Sequence, residues 1–170
     1  MDVRVSDVKK WAGREEVQQL DAEWPPVITE RVDFPLLDTA HIDAKVRNTG
    51  GALIVEFSGV AQMKVPCSRC LEEFVLSVPF RMTEEFREEP GGDDPMLDYY
   101  RFVGDKIELD GLVADAVGVN VPMAPICREG CLGLCPQCGV NRNVILCDCQ
   151  APTDARWAAL EGLARPSDEK

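Results

Sequence analysis

The sequence predicts an α+β protein, with an antiparallel β domain followed by a C-terminal cysteine-rich zinc module and a short terminal helix. Three observations carry that expectation. Ile42, Ala44 and Val46 alternate with polar residues, Asn48-Thr49-Gly50-Gly51 marks a turn, and Leu53, Val55 and Phe57 resume the alternation, as in a hairpin with one buried face. Six of the eight cysteines fall within residues 127–149. Leu112, Val113, Ala116 and Val117 share one face at helical spacing.

Taken in order, residues 1–26 form an N-terminal arm, free or docked, with Trp11 and Trp24 favouring docking. Ser6 is placed to cap a turn through Val8 and Trp11, with Gly13 ending it. The β domain runs over 27–126, and its segment 27–80 reads as antiparallel strands. Val60–Val65 continues the pattern up to Pro66, and Phe74, Leu76, Val78 and Phe80 restore a spacing of two. Residues 84–98 hold Glu84, Glu85, Glu88, Glu89, Asp93, Asp94 and Asp98 around Pro90-Gly91-Gly92, an acidic loop. Such a run is normally solvated, because catalytic carboxylates need a site that shifts their pKa. Tyr99–Val103 and Lys106–Leu109 read as short strands, and Asp110 as the N-cap of the one helix. The module with its terminal helix covers 127–165: Thr153 caps a helix with Trp157, Leu160 and Leu163 or Ala164 on its apolar stripe, and 166–170 is tail.

Composition narrows the function classes. The chain has 170 residues, 45 % of them hydrophobic, which argues against disorder. No run approaches the roughly 18 apolar residues of a membrane span. Thirty acidic against 18 basic side chains give a formal charge of −12. A four-thiolate zinc site adds two further negative charges, making about −14 for one site or about −16 for two. That balance argues against a broad basic face for nucleic acid and suits basic protein partners. Residues 67–126 carry 13 acidic and 5 basic side chains, whereas 127–170 carry 6 and 5.

Cys135, Cys138, Cys147 and Cys149 combine a Cys-x-x-Cys with a Cys-x-Cys. Thiolates are soft ligands, and four of them suit a closed tetrahedral zinc. Gly139 follows the second ligand where the turn needs a permissive backbone. Iron fits the same four thiolates. A disulfide framework is the rival reading, but the start Met-Asp-Val-Arg-Val-Ser-Asp is no apolar signal segment, and disulfides need an oxidising compartment. Cys67 and Cys70 form a second Cys-x-x-Cys, between two predicted strands. A thioredoxin-like pair would be followed by a helix, and here a strand pattern follows. With Cys127 and Cys131 they complete a second tetrad, for one or two zinc ions per chain; a single zinc with four free thiols is the alternative. His41, the only histidine, begins a strand far from the cysteines. No catalytic triad and no phosphate loop can be assembled, so no enzyme is expected.

The motif Cys67-Ser68-Arg69-Cys70-Leu71-Glu72, the acidic stretch and the Lys106–Asp110 segment precede Cys131-Leu132-Gly133-Leu134-Cys135-Pro136-Gln137-Cys138-Gly139. Asn141-Arg142-Asn143, the Cys-x-Cys and Asp154-Ala155-Arg156-Trp157 follow. Together these resemble the YceD-like family of large ribosomal RNA subunit accumulation proteins, over roughly residues 40–163. Arg142 stands where that family more often has an apolar residue. The resemblance implies a cytoplasmic bacterial protein, or an organellar relative, needed for normal levels of large-subunit ribosomal RNA, with members often encoded beside a small protein of the large ribosomal subunit. The expected role is that of a non-enzymatic adaptor or chaperone for ribosomal or rRNA-processing proteins, with no membrane and no small-molecule substrate. The alternatives are direct binding of ribosomal RNA through Arg69, Arg128, Arg142 and Arg156, and a redox or metal-handling role for the thiolates.

Overall fold

The alternation over residues 42–57 becomes the middle of a five-stranded sheet. The computed structural model describes residues 1–32, 34–92, 94–149 and 156. Strands β3 (Ala40–Asn48) and β4 (Leu53–Pro66) form the expected hairpin, with Asn48 opposite Leu53. Every second residue of β3, from Ala40 to Asn48, points into the core. β4 continues without a break through Val60–Val65 and pairs with β5 (Glu73–Glu88) from Leu53↔Phe86 to Pro66↔Glu73. At about 3.4 Å per residue this second hairpin is roughly 45 Å long, and it carries Cys67 and Cys70 on its closing turn. Gly59 permits a close approach within it, since a Cβ there would lie 2.7 Å from the Phe80 ring and 2.8 Å from the His41 carbonyl.

The N-terminal segment belongs to the fold. β1 (Asp2–Arg4) pairs with β7 (Lys106–Glu108), and β2 (Glu15–Ala22) lies along β3 as one edge of the sheet. The anchors are Val3, Val5 and Val8, all fully buried, and not Trp11, which is 68 % exposed. Trp24 meets Phe80 edge-on at 6.4 Å. Asn48, a buried amide, locks this segment to the hairpin turn. Its Nδ2 donates to the Val8 and Lys9 carbonyls at 3.0 and 3.1 Å, and its Oδ1 accepts from the Gly50 N–H at 2.8 Å.

Three expectations need correction. Residues 26–32 are helical: α1 (Pro26–Val32) interrupts the stretch read as strands, so the β domain holds two helices and not one. Pro26 sits in the first turn, where its missing N–H leaves no bond unmade, and Ile28 and Val32, four apart, are buried. The acidic segment 84–98 is not a loop throughout, because β5 runs to Glu88 and then β6 (Tyr100–Phe102) returns parallel to it. Three of its carboxylates are engaged: Glu85 with Arg87 at 2.8 Å, Glu88 with Lys9 at 2.8 Å, and Glu89 with the Tyr99 hydroxyl at 3.3 Å. Burial raises the pKa of Glu84. Asp110 is not the N-cap of α2 (Asp110–Asn120); Leu109 holds that position, and Asp110 lies in the first turn, where the helix dipole favours its charge.

The two helices pack on each other, and α2 packs on β5 over the inner face of the sheet. The outer face is laced with ion pairs, including Lys45–Glu15 at 2.8 Å, Arg81–Glu56 and Lys64–Glu73 at 2.5 Å. His41 lies on that face, with Nδ1 2.6 Å from Asp21. No helix among the described residues is long and apolar enough to cross a membrane. The terminal helix expected from Thr153, with its Trp157 and Leu160 stripe, and the tail 166–170 lie outside the described residues.

Candidate metal centres

Both Cys-x-x-Cys segments fold into the same tight turn. In the first, the Leu71 N–H returns to the Cys67 carbonyl and the Cys67 N–H bonds to the Glu72 carbonyl, both at 2.9 Å. In the second, the Gly139 N–H returns to the Cys135 carbonyl at 2.9 Å and the Cys135 N–H bonds to the Val140 carbonyl at 2.8 Å. The residue after the second cysteine is left-handed in both, Gly139 at φ 73° and Leu71 at φ 62°. Leu71 is the only non-glycine residue with positive φ among the described residues. An L-residue there costs about 1–2 kcal/mol. This permissive position is legible for Gly139; Leu71 gives no such sign in the sequence.

The sulfurs of Cys67, Cys70, Cys127 and Cys131 converge, as do those of Cys135, Cys138, Cys147 and Cys149; within each set all ligand atoms lie within 4.8 Å of one another. A tetrahedral ion with metal–sulfur bonds of about 2.3 Å needs sulfurs about 3.8 Å apart. The Cys67–Cys131 and Cys70–Cys127 sulfur distances are both 3.8 Å. Four sulfurs meeting at one point is the arrangement an ion needs, whereas a disulfide framework needs only pairs. The first set, the inner centre, is largely buried: Cys67, Cys70 and Cys131 are 0 %, 5 % and 4 % exposed. In the outer centre Cys135 is buried while Cys138 and Cys149 are exposed.

Donors surround the sulfurs as thiolates require. The N–H groups of Arg69 and Cys127 both donate to the Cys67 sulfur at 3.4 Å. Burial alone would push the Cys67 thiol up, but N–H donors from Cys127, Cys70 and Arg69 outweigh it and bring its pKa down to about 6. Cys135 also falls to about 6, drawn down by the N–H groups of Cys138 and Gln137. Burial and three neighbouring sulfurs push Cys127 up to about 12, and Cys138, followed by burial, pushes Cys149 up to about 12. Four adjacent sulfurs resist full ionisation until a cation joins them.

The two centres abut. The Arg69 carbonyl accepts from the Leu134 N–H at 2.9 Å, and its guanidinium donates to the Cys131 carbonyl at 3.1 Å. The Ser68 N–H reaches the Pro125 carbonyl at 2.8 Å, tying the hairpin tip to the proline-rich lead-in. Of the four arginines grouped by the sequence, Arg69 therefore holds the module itself, and Arg128 donates to Asn143 at 2.9 Å. Arg142 and Arg156 are both exposed. Asn143, whose amide reaches the Cys131 sulfur at 3.3 Å, is not evident as a site residue from the sequence; a short polar side chain inside a cysteine-rich loop is its only signal there.

A long hairpin whose tip shares one tetracysteine cluster with a compact loop module, which carries a second such cluster of its own, defines a protein with two candidate metal centres. The chain belongs to the family described as "Large ribosomal RNA subunit accumulation protein YceD", which it matches over residues 55–164. It is similar to an uncharacterized protein of Mycobacterium tuberculosis, 30 % identical over 131 residues, covering 75 % of this chain and 63 % of the relative. An uncharacterized protein of Mycobacterium leprae is 26 % identical over 136 residues, covering 74 % and 59 %. The chain thus spans less than two thirds of the length of these curated relatives. No solved structure matches it.

Proposed function

We propose that the protein is a non-enzymatic factor in large-subunit ribosome biogenesis, acting in the cytoplasm as an adaptor or chaperone for ribosomal or rRNA-processing proteins. Membership of a family described by large-subunit ribosomal RNA accumulation, over the segment that holds both tetrads, carries this reading. The metal is zinc: four thiolates in a closed site form its common structural environment, and a reducing compartment keeps them available. When bound, zinc serves as a crosslink, and the chain's N–H donors balance the thiolate charge.

Basic protein partners fit a chain of charge −12. The structure shifts emphasis away from residues 84–98 as a single acidic patch, since several of those carboxylates are already paired. For the RNA-binding reading, Arg69 and Arg128 bond the module's own carbonyl and amide groups, while Arg142 and Arg156 are exposed. The test is affinity purification from cells with and without RNase. Association with large-subunit ribosomal or processing proteins that survives RNase supports the adaptor role; association abolished by RNase moves the contact to RNA. Elemental analysis of the reduced protein should find zinc at both centres.

A further inference from the structure

Asn143 lies in the loop between Cys138 and Cys147, two residues of the outer centre, yet its side chain serves the inner one. The loop is fixed from several sides. Besides the knuckle bonds at Cys135, the Arg142 N–H reaches the Gly133 carbonyl at 2.9 Å and the Val144 N–H reaches the Asn141 carbonyl at 3.0 Å. The Asn143 amide is fully used. Nδ2 donates to the Cys131 sulfur at 3.3 Å and to Asn141 Oδ1 at 2.8 Å, while Oδ1 accepts from the Leu132 N–H and from Arg128, both at 2.9 Å. A primary amide offers two N–H donors and two acceptor sites, so no capacity is left over. Turning the amide round would set its oxygen against a sulfur and against Asn141 Oδ1, which already accepts from the Asn143 N–H at 3.0 Å.

We propose that Asn143 is a positioning residue shared by the two centres. Held in place by the outer loop, it orients and stabilises Cys131, so that the inner ion is bound at full strength only while the outer ion is in place. The proposal rests on the reading of both tetrads as metal centres. Its physical content is a coupling free energy, and coupling of this kind is reciprocal: emptying the inner centre weakens the outer one by the same factor. Outer-shell partners of a metal ligand typically change affinity by about 10–100-fold when removed.

Cadmium supplies the probe, because two tetrads of different burial should give separate NMR resonances whose loss to a chelator can be followed individually. Asn143→Asp keeps the shape of the side chain and its two acceptor contacts, but replaces the donor to both the Cys131 sulfur and Asn141 Oδ1 by a carboxylate oxygen. It should lower inner-centre affinity by about 10–100-fold; outer-centre affinity falls with it while the inner ion is bound, by reciprocity, but changes much less when the inner centre has been emptied by Cys127→Ser. Cys149→Ser should weaken the inner centre in the Asn143 protein, and add little when Asn143→Asp is already present. Full additivity of the two substitutions, an unchanged inner affinity in Asn143→Asp, or an equal loss at the outer centre with the inner one emptied by Cys127→Ser would each overturn the proposal. The unsubstituted protein gives an independent check: as chelator is raised, no species holding the inner ion alone should accumulate, and a persistent inner-only species counts against coupling. Absence of cadmium from both tetrads would instead refute the metal reading itself.

Discussion

Gly133 sits at the contact between the two knuckles, and substituting it tests whether that contact holds the centres together. Its φ is 70°, and an added Cβ would lie 2.9 Å from the Arg69 carbonyl oxygen and 3.3 Å from the Arg69 Cβ. Neither neighbour is the free end of a flexible side chain. Gly133→Ala therefore incurs two costs: about 1–2 kcal/mol for the left-handed backbone, and about 1 kcal/mol more as the Leu134 N–H to Arg69 carbonyl bond is pushed apart. The sum of about 2–3 kcal/mol should reduce apparent metal affinity by about 30–150-fold, at 1.4 kcal/mol per tenfold. Two further glycines are controls. Gly139 has φ 73° and nothing within 4 Å of where a Cβ would stand, so Gly139→Ala incurs only the backbone cost. Gly130 has open space and no positive φ, so Gly130→Ala should be near neutral. The assay is competition with a chromophoric chelator on all three proteins in reduced buffer. Equal losses for Gly133→Ala and Gly139→Ala would show that the Arg69 contact contributes nothing.

Other substitutions and conditions probe separate parts of the argument. Asn48→Ala should destabilise the fold by about 1–3 kcal/mol, because the Val8 and Lys9 carbonyls lose a buried donor; urea unfolding reads this, and an unchanged midpoint would detach the N-terminal segment from the fold's stability. Leu71→Gly should tighten the inner centre severalfold, since an exposed side chain is lost and left-handed strain of about 1–2 kcal/mol is relieved, partly offset by glycine's entropy; weaker binding would show that the leucine itself makes a needed contact. In the metal-free protein at pH 7, Cys127 and Cys149, raised to about 12, keep their protons, while Cys67 and Cys135 at about 6 are mostly ionised. Metal binding should therefore release protons and strengthen with rising pH, and its pH dependence should steepen as pH falls through about 6, where Cys67 and Cys135 must also be deprotonated. Calorimetry in buffers of different ionisation enthalpy measures this directly; metal uptake without proton release would contradict it.

The parts of the fold that are legible in the sequence follow from local period. The β3–β4 hairpin and its turn declare themselves because one face is buried and the other solvated, which writes a spacing of two into the chain. The grouping of Cys135, Cys138, Cys147 and Cys149 is legible from spacing, because the geometry of a turn sets which sulfurs can converge; that of Cys67 and Cys70 with Cys127 and Cys131 rests on the cysteines left over, and only the fold brings those four sulfurs within 4.8 Å. Three features are hidden for physical reasons. Helix α1 is only seven residues long, too short for a period of 3.6 to stand apart from flanking strands. The strand character of Glu84–Glu88 is masked by charge: β5 continues there by pairing with β4, as in Glu84↔Val55 and Glu85↔Ile54, and the tertiary partner overrides composition. Asn143 is hidden because its partners, Cys131, Leu132 and Arg128, lie 11 to 15 residues away and only the folded loop brings them together.

The inner and outer centres differ in what each would hold together. The inner one joins Cys67 to Cys131 and Cys70 to Cys127 across separations of 64 and 57 residues. The outer one closes only the local segment from Cys135 to Cys149. Bringing distant segments together costs more chain entropy than closing a short loop, with the cost growing slowly with length, and a module of this size has too little apolar core to hold itself in place. The inner centre is thus the junction between the sheet and the module. Cys127→Ser at saturating zinc should release both the hairpin tip, including Cys67–Glu72, and residues 127–149, whereas Cys149→Ser should loosen the outer loop and leave the tip protected. Hydrogen exchange on the Cys67 and Leu71 amides, which bond to the Glu72 and Cys67 carbonyls at 2.9 Å, reports the tip. Equal protection of those two amides in Cys127→Ser and in the unsubstituted protein would mean that the hairpin is held by its own strand pairing alone, and that the inner centre is not the junction.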